Sequence, residues 1–189
     1  MNTDPCLREP HLGIDIGRVI INGPAHPQGG DTAFFAGDEA TMLATPEMDG
    51  ALPAIARLVT LFAGQVWLIS KCGPRVQART LRWLQGHDFH RRTGVPPGRV
   101  LFCRTRPEKR LHCQQLALTH FVDDHPEVHA AIQGAVHQQY FFGPQRDPVP
   151  AYGTHAPTWA EAETHITNSL TSSTCQTRLA EPQIQAPDA

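Results

Sequence analysis

Four short apolar segments of the sequence end in, or lead to, side chains that could carry out catalysis. The segments span residues 11–16, 65–70, 99–103 and 120–124, and the side chains beside them are Asp15, Ser70, Lys71, Arg104, Arg106, Lys109, Asp123 and Asp124. If the segments are parallel strands of one sheet, their carboxyl ends share the edge at which such sheets bind ligands. Carboxylates that converge there repel one another unless a hard divalent cation lies between them. The set therefore predicts a Mg²⁺ site.

The same side chains suit covalent phosphoryl transfer. In that chemistry an aspartate attacks phosphorus, while a metal ion and a lysine neutralise the phosphoryl oxygens. A single Asp at a strand end is more often a helix or turn cap than a nucleophile. The ordered combination of carboxylates, a hydroxyl group and a lysine is much more specific.

The elements that would position these groups alternate between strand and helix. Strands are predicted at residues 11–16, 65–70, 99–103, 120–124 and 138–142, and helices at 49–63, 74–85, 107–118 and 126–134. Residues 22–47 are rich in Gly, Pro, Asp and Thr and predict an irregular excursion. Short apolar strands without strict alternation, joined by helices, predict an α/β fold. We expect a Rossmann-like parallel sheet of about five strands with helices on both faces.

Length and composition indicate one globular domain. The 189 residues can bury one core, and we expect an N-terminal extension (1–10), an α/β domain (11–145) and a C-terminal extension (146–189). In the C-terminal extension we expect a helix at 159–170, followed by a disordered end from residue 172.

Charge and cysteine content restrict the partners and the compartment. The net charge of −2 provides no overall basic field for nucleic acid or an anionic membrane, so a bound anion must be held by local charge. Five scattered cysteines without a C-x-x-C pair favour reduced thiols, and no apolar run approaches the length of a membrane span. These features predict a cytoplasmic protein. The charge and cysteine content are also compatible with an oligomer.

Four segments together resemble a known family. LGIDIGRVI, VWLISKCG, the lysine in RPEKRLHCQQLAL and THFVDDHPEV are similar to the four successive motifs of haloacid-dehalogenase-like hydrolases, in the family's order and over roughly residues 11–143. The lysine that opens a helix and the strand that ends in Asp-Asp-x-Pro-Glu are typical of the family's phosphatases. The resemblance implies a Mg²⁺-dependent phosphatase that forms an aspartyl-phosphate.

The resemblance also implies a role for individual residues. Asp15 would be the nucleophile and a metal ligand, and the backbone carbonyl of Gly17 would be a second ligand. Asp123, with Asp124 nearby, would complete the metal site. Ser70 would hydrogen-bond the phosphoryl group, and Lys109 would pair with that group and with Asp15.

One position departs from the family's pattern. Its phosphatases usually carry a second aspartate two residues after the nucleophile, as the acid and base of the reaction, and Gly17 stands there instead. The loss of a positioned acid or base costs about 10²–10⁴-fold where the leaving group needs a proton. The sequence therefore leaves open a weak phosphatase, a good leaving group, another acid such as His125, or lost catalysis.

The lengths of the intervals between motifs predict a capless member of the family. Neither residues 18–64 nor residues 71–98 have room for a substantial cap domain, which implies an open site for a bulky phosphorylated substrate. Arg18 and Lys71, together with Ser70 and Lys109, are the predicted substrate-binding residues. With Arg104 and Arg106 they favour an extended polyanion such as a nucleotide.

Three other functions are considered. The main alternative is a non-enzymatic module that binds a phosphorylated ligand or a protein partner, which Gly17 supports and the intact set of Asp15, Ser70, Lys109 and Asp123 opposes. A dehalogenase would need no metal and would leave the aspartate pair without a role. A dinucleotide-binding protein is weaker still, because GIDIG contains no G-x-G-x-x-G.

Overall fold

A six-stranded parallel sheet forms the centre of the molecule. The structure is a computed structural model, and it describes the backbone of residues 9–179 and the side chains of residues 9–171. The strands lie in the order β3-β2-β1-β4-β5-β6, and every neighbouring pair is parallel. The predicted α/β class and parallel sheet are confirmed, with one strand more than expected.

The strands are short, and helices lie between most of them. The strands are β1 Leu12–Ile14, β2 Val66–Lys71, β3 Val100–Cys103, β4 His120–Asp123, β5 Gln138–Phe142 and β6 Thr154–Ala156. The helices are α1 Gly30–Ala36, α2 Glu39–Leu43, α3 Ala51–Leu61, α4 Pro74–Gly86, α5 Phe89–Thr93, α6 Lys109–Gln115, α7 Pro126–Ile132 and α8 Trp159–Leu179. Short 3₁₀ turns occur at Gly23–Ala25 and Pro97–Arg99.

Both faces of the sheet are covered by apolar side chains. In β2, Val66 and Leu68 belong to a large buried cluster, whereas Ile69 belongs to a smaller one that Trp67 also packs against. Successive side chains of a strand point to opposite faces, so the two clusters lie on the two sides of the sheet. The absence of strict alternation in the sequence has this cause.

The segment 22–47 is more ordered than its composition predicts. It contains the 3₁₀ turn Gly23–Ala25 and the helices α1 and α2. The Asp38 side chain accepts a hydrogen bond from the Thr41 N–H, which caps α2. The Arg79 guanidinium of α4 donates to the carbonyls of Phe34 (2.6 Å) and Gly37 (2.7 Å), which fixes the end of α1 against α4.

The predicted domain boundary at residue 145 is too early. Strand β6 pairs with β5 and extends the sheet beyond that point. Trp159 is 1% exposed and its indole N–H donates to the Val19 carbonyl at 2.7 Å, so the start of α8 belongs to the main core. The expected helix at 159–170 is longer, because α8 continues to Leu179.

The extreme termini carry two further predictions. Residues 1–8 of the N-terminal extension and residues 180–189 of the predicted disordered end lie outside the described residues. Within residues 9–179, none of the helices has the length and apolar character needed to cross a membrane.

Candidate active site

The carboxyl ends of the three central strands define one cleft. Strand β1 lies between β2 and β4, so Asp15 emerges at the middle of the sheet, and its N–H donates to the Val122 carbonyl of β4 at 2.9 Å. The cleft has a volume of about 360 Å³. Its lining includes Asp15, Gly17, Arg18, Ser70, Lys71, Arg106, Lys109, Asp123, Asp124 and His125. Each site residue that the sequence predicts thus lines this cleft.

Lys109 connects two of the carboxylates. It is the first residue of α6 and is 2% exposed. Its Nζ donates to Asp15 Oδ1 at 2.5 Å and to Asp123 Oδ2 at 2.7 Å. Three segments that are distant in the sequence therefore meet at one buried ammonium group. Such charge-assisted bonds are about twice as strong as neutral ones, and they fix the orientation of both carboxylates.

Asp124 completes a cluster of three carboxylates. One ligand atom from each of Asp15, Asp123 and Asp124 lies within 4.8 Å of the other two. Together with the Lys109 ammonium, these side chains carry a formal charge of −2. A divalent cation would neutralise that charge, and carboxylate oxygens are the ligands that Mg²⁺ prefers. The donor set therefore fits Mg²⁺.

The electrostatics of the cluster agree with this fit. Burial raises the pKa of Asp124 to about 7, and repulsion from Asp15 and Asp123 adds to the effect. Burial also raises the pKa of Asp15 to about 6, although the Lys109 charge opposes that rise. For Lys109, burial opposes the charged form, but attraction by Asp123 and Asp15 outweighs it and raises the pKa. A cation among the carboxylates would relieve the repulsion.

Gly17 lies on the cleft with room for a side chain. It is exposed, and a Cβ built there would come no closer than 3.9 Å to Asp15 Oδ2, the atom it would meet. Its φ lies outside the left-handed region, so the backbone does not require glycine. The missing aspartate is therefore not a consequence of local strain or crowding.

The predicted phosphate-binding side chains differ in their burial and in the partners they already have. Ser70 is buried at 8% exposure near the end of β2, and Lys71 follows it as an exposed residue of the cleft. Arg18 also lines the cleft, but its guanidinium is engaged with Asp31 at 2.5 Å. An anion would therefore compete with Asp31 for Arg18.

Two further arginines are separated by the structure. Arg106 lines the cleft and lies 3.5 Å from the carboxylate of Glu127. Arg104 follows β3 at the same edge of the sheet but lines a neighbouring depression with Cys72 and His112 instead of the cleft. The reason is that β3 lies one strand further from β1, and its carboxyl end opens beside α6 rather than over Asp15.

His125 is held beside the carboxylates by its backbone and ring. Its N–H donates to Asp123 Oδ1 at 2.9 Å, and its Nδ1 accepts from the Glu127 N–H at 3.3 Å, which caps α7. Because Nδ1 accepts, the neutral ring carries its proton on Nε2. The ring lines the cleft and is a polar neighbour of any bound phosphate ester.

Two groups that shape the site are not among the residues that the sequence predicts for it. Phe34 and Phe35 of α1 line the cleft, although they come from the segment predicted to be irregular. In the buried His129 ring, Nε2 lies 3.0 Å from the Asp123 carbonyl and Nδ1 lies 3.1 Å from Gln139 Oε1, so the ring packs against the backbone of the aspartate pair. The spacing of His129 six residues after Asp123 was the available signal, but many dispersed histidines obscured it.

Comparison with known proteins supports the fold. A solved structure described as a haloacid-dehalogenase-like hydrolase from Burkholderia xenovorans LB400 is similar, with a TM-score of 0.55 and 16% sequence identity over 85% of this chain and 99% of that chain. The chain therefore has the haloacid-dehalogenase-like fold. The sequence matches no protein-family model and no curated protein.

Proposed function

We propose that this protein is a Mg²⁺-dependent phosphoric monoester hydrolase that acts through an aspartyl-phosphate on Asp15. The observation that carries the proposal is the bridge from Lys109 to Asp15 and Asp123 within a cluster of three carboxylates. The similar hydrolase structure adds support at the level of the fold. An ion pair that serves only stability seldom has a further unneutralised carboxylate beside it, because an uncompensated buried charge lowers stability.

Asp15 is the nucleophile in this proposal. Lys109 holds Oδ1, and Oδ2, on the side of Gly17, attacks phosphorus. The bond from phosphorus to the leaving oxygen then breaks, and its electron pair leaves with that oxygen. Ser70 and Lys109 bind the phosphoryl oxygens, and Lys71 attracts the dianion to the cleft. Water then attacks phosphorus, the bond between phosphorus and the Asp15 oxygen breaks, and inorganic phosphate leaves. The Asp15 carboxylate is regenerated, and the proton of the water passes to solvent.

The proposed metal site uses Asp15, Asp123, Asp124 and the Gly17 carbonyl. A bound Mg²⁺ would supply charge neutralisation for the phosphoryl oxygens. The chain itself contributes the orientation of these ligands, because Lys109 and the His125 N–H each hold one oxygen of Asp123.

A direct test is a screen of phosphate esters with and without Mg²⁺. We expect turnover that requires Mg²⁺ and falls by at least about 10⁴-fold in Asp15→Asn, because an amide neither attacks phosphorus nor binds the metal well. Acid quenching during turnover, followed by mass spectrometry, should find a phosphate on the peptide that contains Asp15. Equal turnover by wild type and Asp15→Asn would exclude the mechanism.

Gly17 favours a second candidate, a module that binds a phosphorylated ligand without turnover. It predicts Mg²⁺-dependent binding of a phosphate ester, no product and no labelled Asp15. The same screen therefore separates the two candidates. We also propose a cytoplasmic location, which cell fractionation tests. A nucleotide or other bulky phosphorylated substrate is a further proposal, which a broad substrate screen tests.

A further inference from the structure

One wall of the cleft is aromatic. Phe34 and Phe35 line it together with the apolar side chains of Ile21 and Val76. Phe34 is 5% exposed, whereas Phe35 is 46% exposed, and the two rings meet edge to face with centroids 5.5 Å apart. The cleft therefore has a charged end, where the carboxylates lie, and an apolar side that presents the surface of an exposed ring.

This aromatic wall is held in place by the rest of the fold. Arg79 donates to the Phe34 carbonyl from α4, and Asp31, one turn before Phe35 in α1, pairs with Arg18. Arg18 directly follows Gly17, so the ion pair ties α1 to the loop that carries the nucleophile. The backbone that carries Phe35 is thus held at the cleft by α4 and by the loop after Asp15, and a ring on such a support can bind a flat partner with less loss of entropy.

The second observation is the space at Gly17. The position usual for an acid holds no side chain, and the backbone and surroundings would accept one. A leaving group that needs no proton can dispense with that acid. Phenolate oxygens leave much more readily than alkoxide oxygens, and a phenol brings an aromatic ring to the site.

Among the bulky phosphate esters of the proposed function, we infer that the substrates are monoesters of aromatic alcohols rather than nucleotides, with the aromatic ring packed against Phe35 and the phosphoryl group at Asp15. This inference rests on the proposed function and names its substrate class. Asp15 forms a bond to phosphorus, the bond from phosphorus to the aryl oxygen breaks, and the phenolate takes the electron pair. Water then cleaves the aspartyl-phosphate, and its proton passes to solvent.

Four substrates distinguish the contribution of an aromatic ring from that of a good leaving group. Phenyl phosphate has both a ring and a good leaving group, benzyl phosphate has only the ring, acetyl phosphate has only the good leaving group, and propyl phosphate has neither. Wild type should turn over phenyl phosphate with the highest kcat/KM. Benzyl phosphate should bind with a similar KM but react at least about 10-fold more slowly, because its alkoxide needs a proton.

Variants assign each preference to a residue. Phe35→Ala should raise the KM for phenyl and benzyl phosphate by about 3- to 10-fold with little change in kcat, and Phe35→Leu should restore only part of the loss. The KM for acetyl phosphate should rise less. Leu61→Ala is the matched control, because Leu61 is also an exposed apolar residue (44%) but does not line the cleft.

Gly17→Asp should raise kcat for benzyl and propyl phosphate by at least about 10-fold, and Gly17→Asn, which cannot transfer a proton, should not. Melting curves for both variants verify that they fold. Equal effects of Phe35→Ala on phenyl and acetyl phosphate, or equal wild-type rates on phenyl and benzyl phosphate, would overturn the inference. Turnover of acetyl phosphate through labelled Asp15 would keep the proposed function in that case, whereas no turnover of any ester would remove both.

Discussion

The two ends of strand β4 both hold a buried polar side chain, in opposite electrostatic settings. His120, at the first residue, is 5% exposed, and its ring nitrogens lie 2.7 Å from the Thr119 hydroxyl and 3.0 Å from the Ser169 hydroxyl. Burial lowers the pKa of His120 to about 4, so the ring is neutral at pH 7. Asp123, at the last residue, is 1% exposed and lies among two further carboxylates and an ammonium group.

The difference separates a structural polar group from a candidate functional one. At the amino end, neutral partners within the protein meet the hydrogen-bonding needs of His120, and nothing else is required. At the carboxyl end, Lys109 bonds two of the three carboxylates and the Arg18 charge attracts Asp124, but burial and repulsion still raise the pKa of Asp124. The remaining negative charge is a cost that a ligand can remove. The same strand thus carries a structural polar group at one end and part of a candidate binding site at the other.

The largest expected effect comes from the ammonium group at the carboxyl end. Lys109→Met should lower the free energy of unfolding by about 3–5 kcal/mol without Mg²⁺, because it leaves buried carboxylates without their cation. Urea denaturation in EDTA measures the change. The control is Lys71→Met, because Lys71 is an exposed lysine of the same cleft. This variant should change the free energy of unfolding by no more than about 0.5 kcal/mol. Similar values for the two variants would show that the bridge contributes little.

The amino end should respond to acid. The pKa of His120 is 6.5 in an unfolded chain and about 4 in the fold, so the unfolded state binds more protons between these values. Stability from this group is therefore complete above pH 6.5 and falls by about 3 kcal/mol as the pH is lowered from 7 to 4. His120→Gln should remove that part of the slope, as measured by urea denaturation across the pH range. Parallel slopes for the variant and wild type would contradict the assignment.

Metal binding provides a second test of the carboxyl end of β4, because it adds a cation to the site instead of removing one. Mg²⁺ at 100 times its dissociation constant should stabilise the fold by about 2.7 kcal/mol, seen as a rise in melting temperature. Asp123→Asn should abolish the rise, whereas Asp88→Asn, at an exposed residue of another ion pair, should keep it. No shift in wild type at millimolar Mg²⁺ would remove the metal site.

The smallest expected effect is a gain in the free energy of unfolding, whereas most substitutions lower it. Because burial raises the pKa of Asp124 to about 7, its charge destabilises the metal-free fold at neutral pH, and the penalty fades as acid protonates the group. Asp124→Asn should therefore stabilise the protein by about 0.5–2 kcal/mol at pH 8 in EDTA, and by less at pH 5. With Mg²⁺ present the variant should be the less stable protein. Lower stability of Asp124→Asn in EDTA at pH 8 would contradict this account.

Much of the central sheet follows from local sequence. Strand β5 was predicted with the observed bounds, and the other four predicted strands differ from the structure by one or two residues at their ends. These strands are buried on both faces, and their continuous apolar runs record that environment directly. The order of the strands brings Asp15 and Asp123 together, since β1 and β4 are neighbours at the centre of the sheet. Lys109 follows the edge strand β3 and reaches both carboxylates from the first residue of α6.

The parts that were missed depend on contacts between distant residues. Helices α1 and α2 have seven and five residues, too few for a clear helical period, and Arg79 of α4 holds α1 in place. Strand β6 has three residues, and pairing with the edge of β5 determines its conformation.

The sequence by itself therefore determined the alternating elements and the side chains that follow the central strands, because burial and capping leave local patterns. Tertiary structure alone decided that Lys109 bridges two carboxylates, that Arg104 lines another depression and that Phe35 lines the same cleft as Asp15. Those outcomes depend on the distances between side chains from separate segments, and such distances are set only when the sheet and its covering helices pack together.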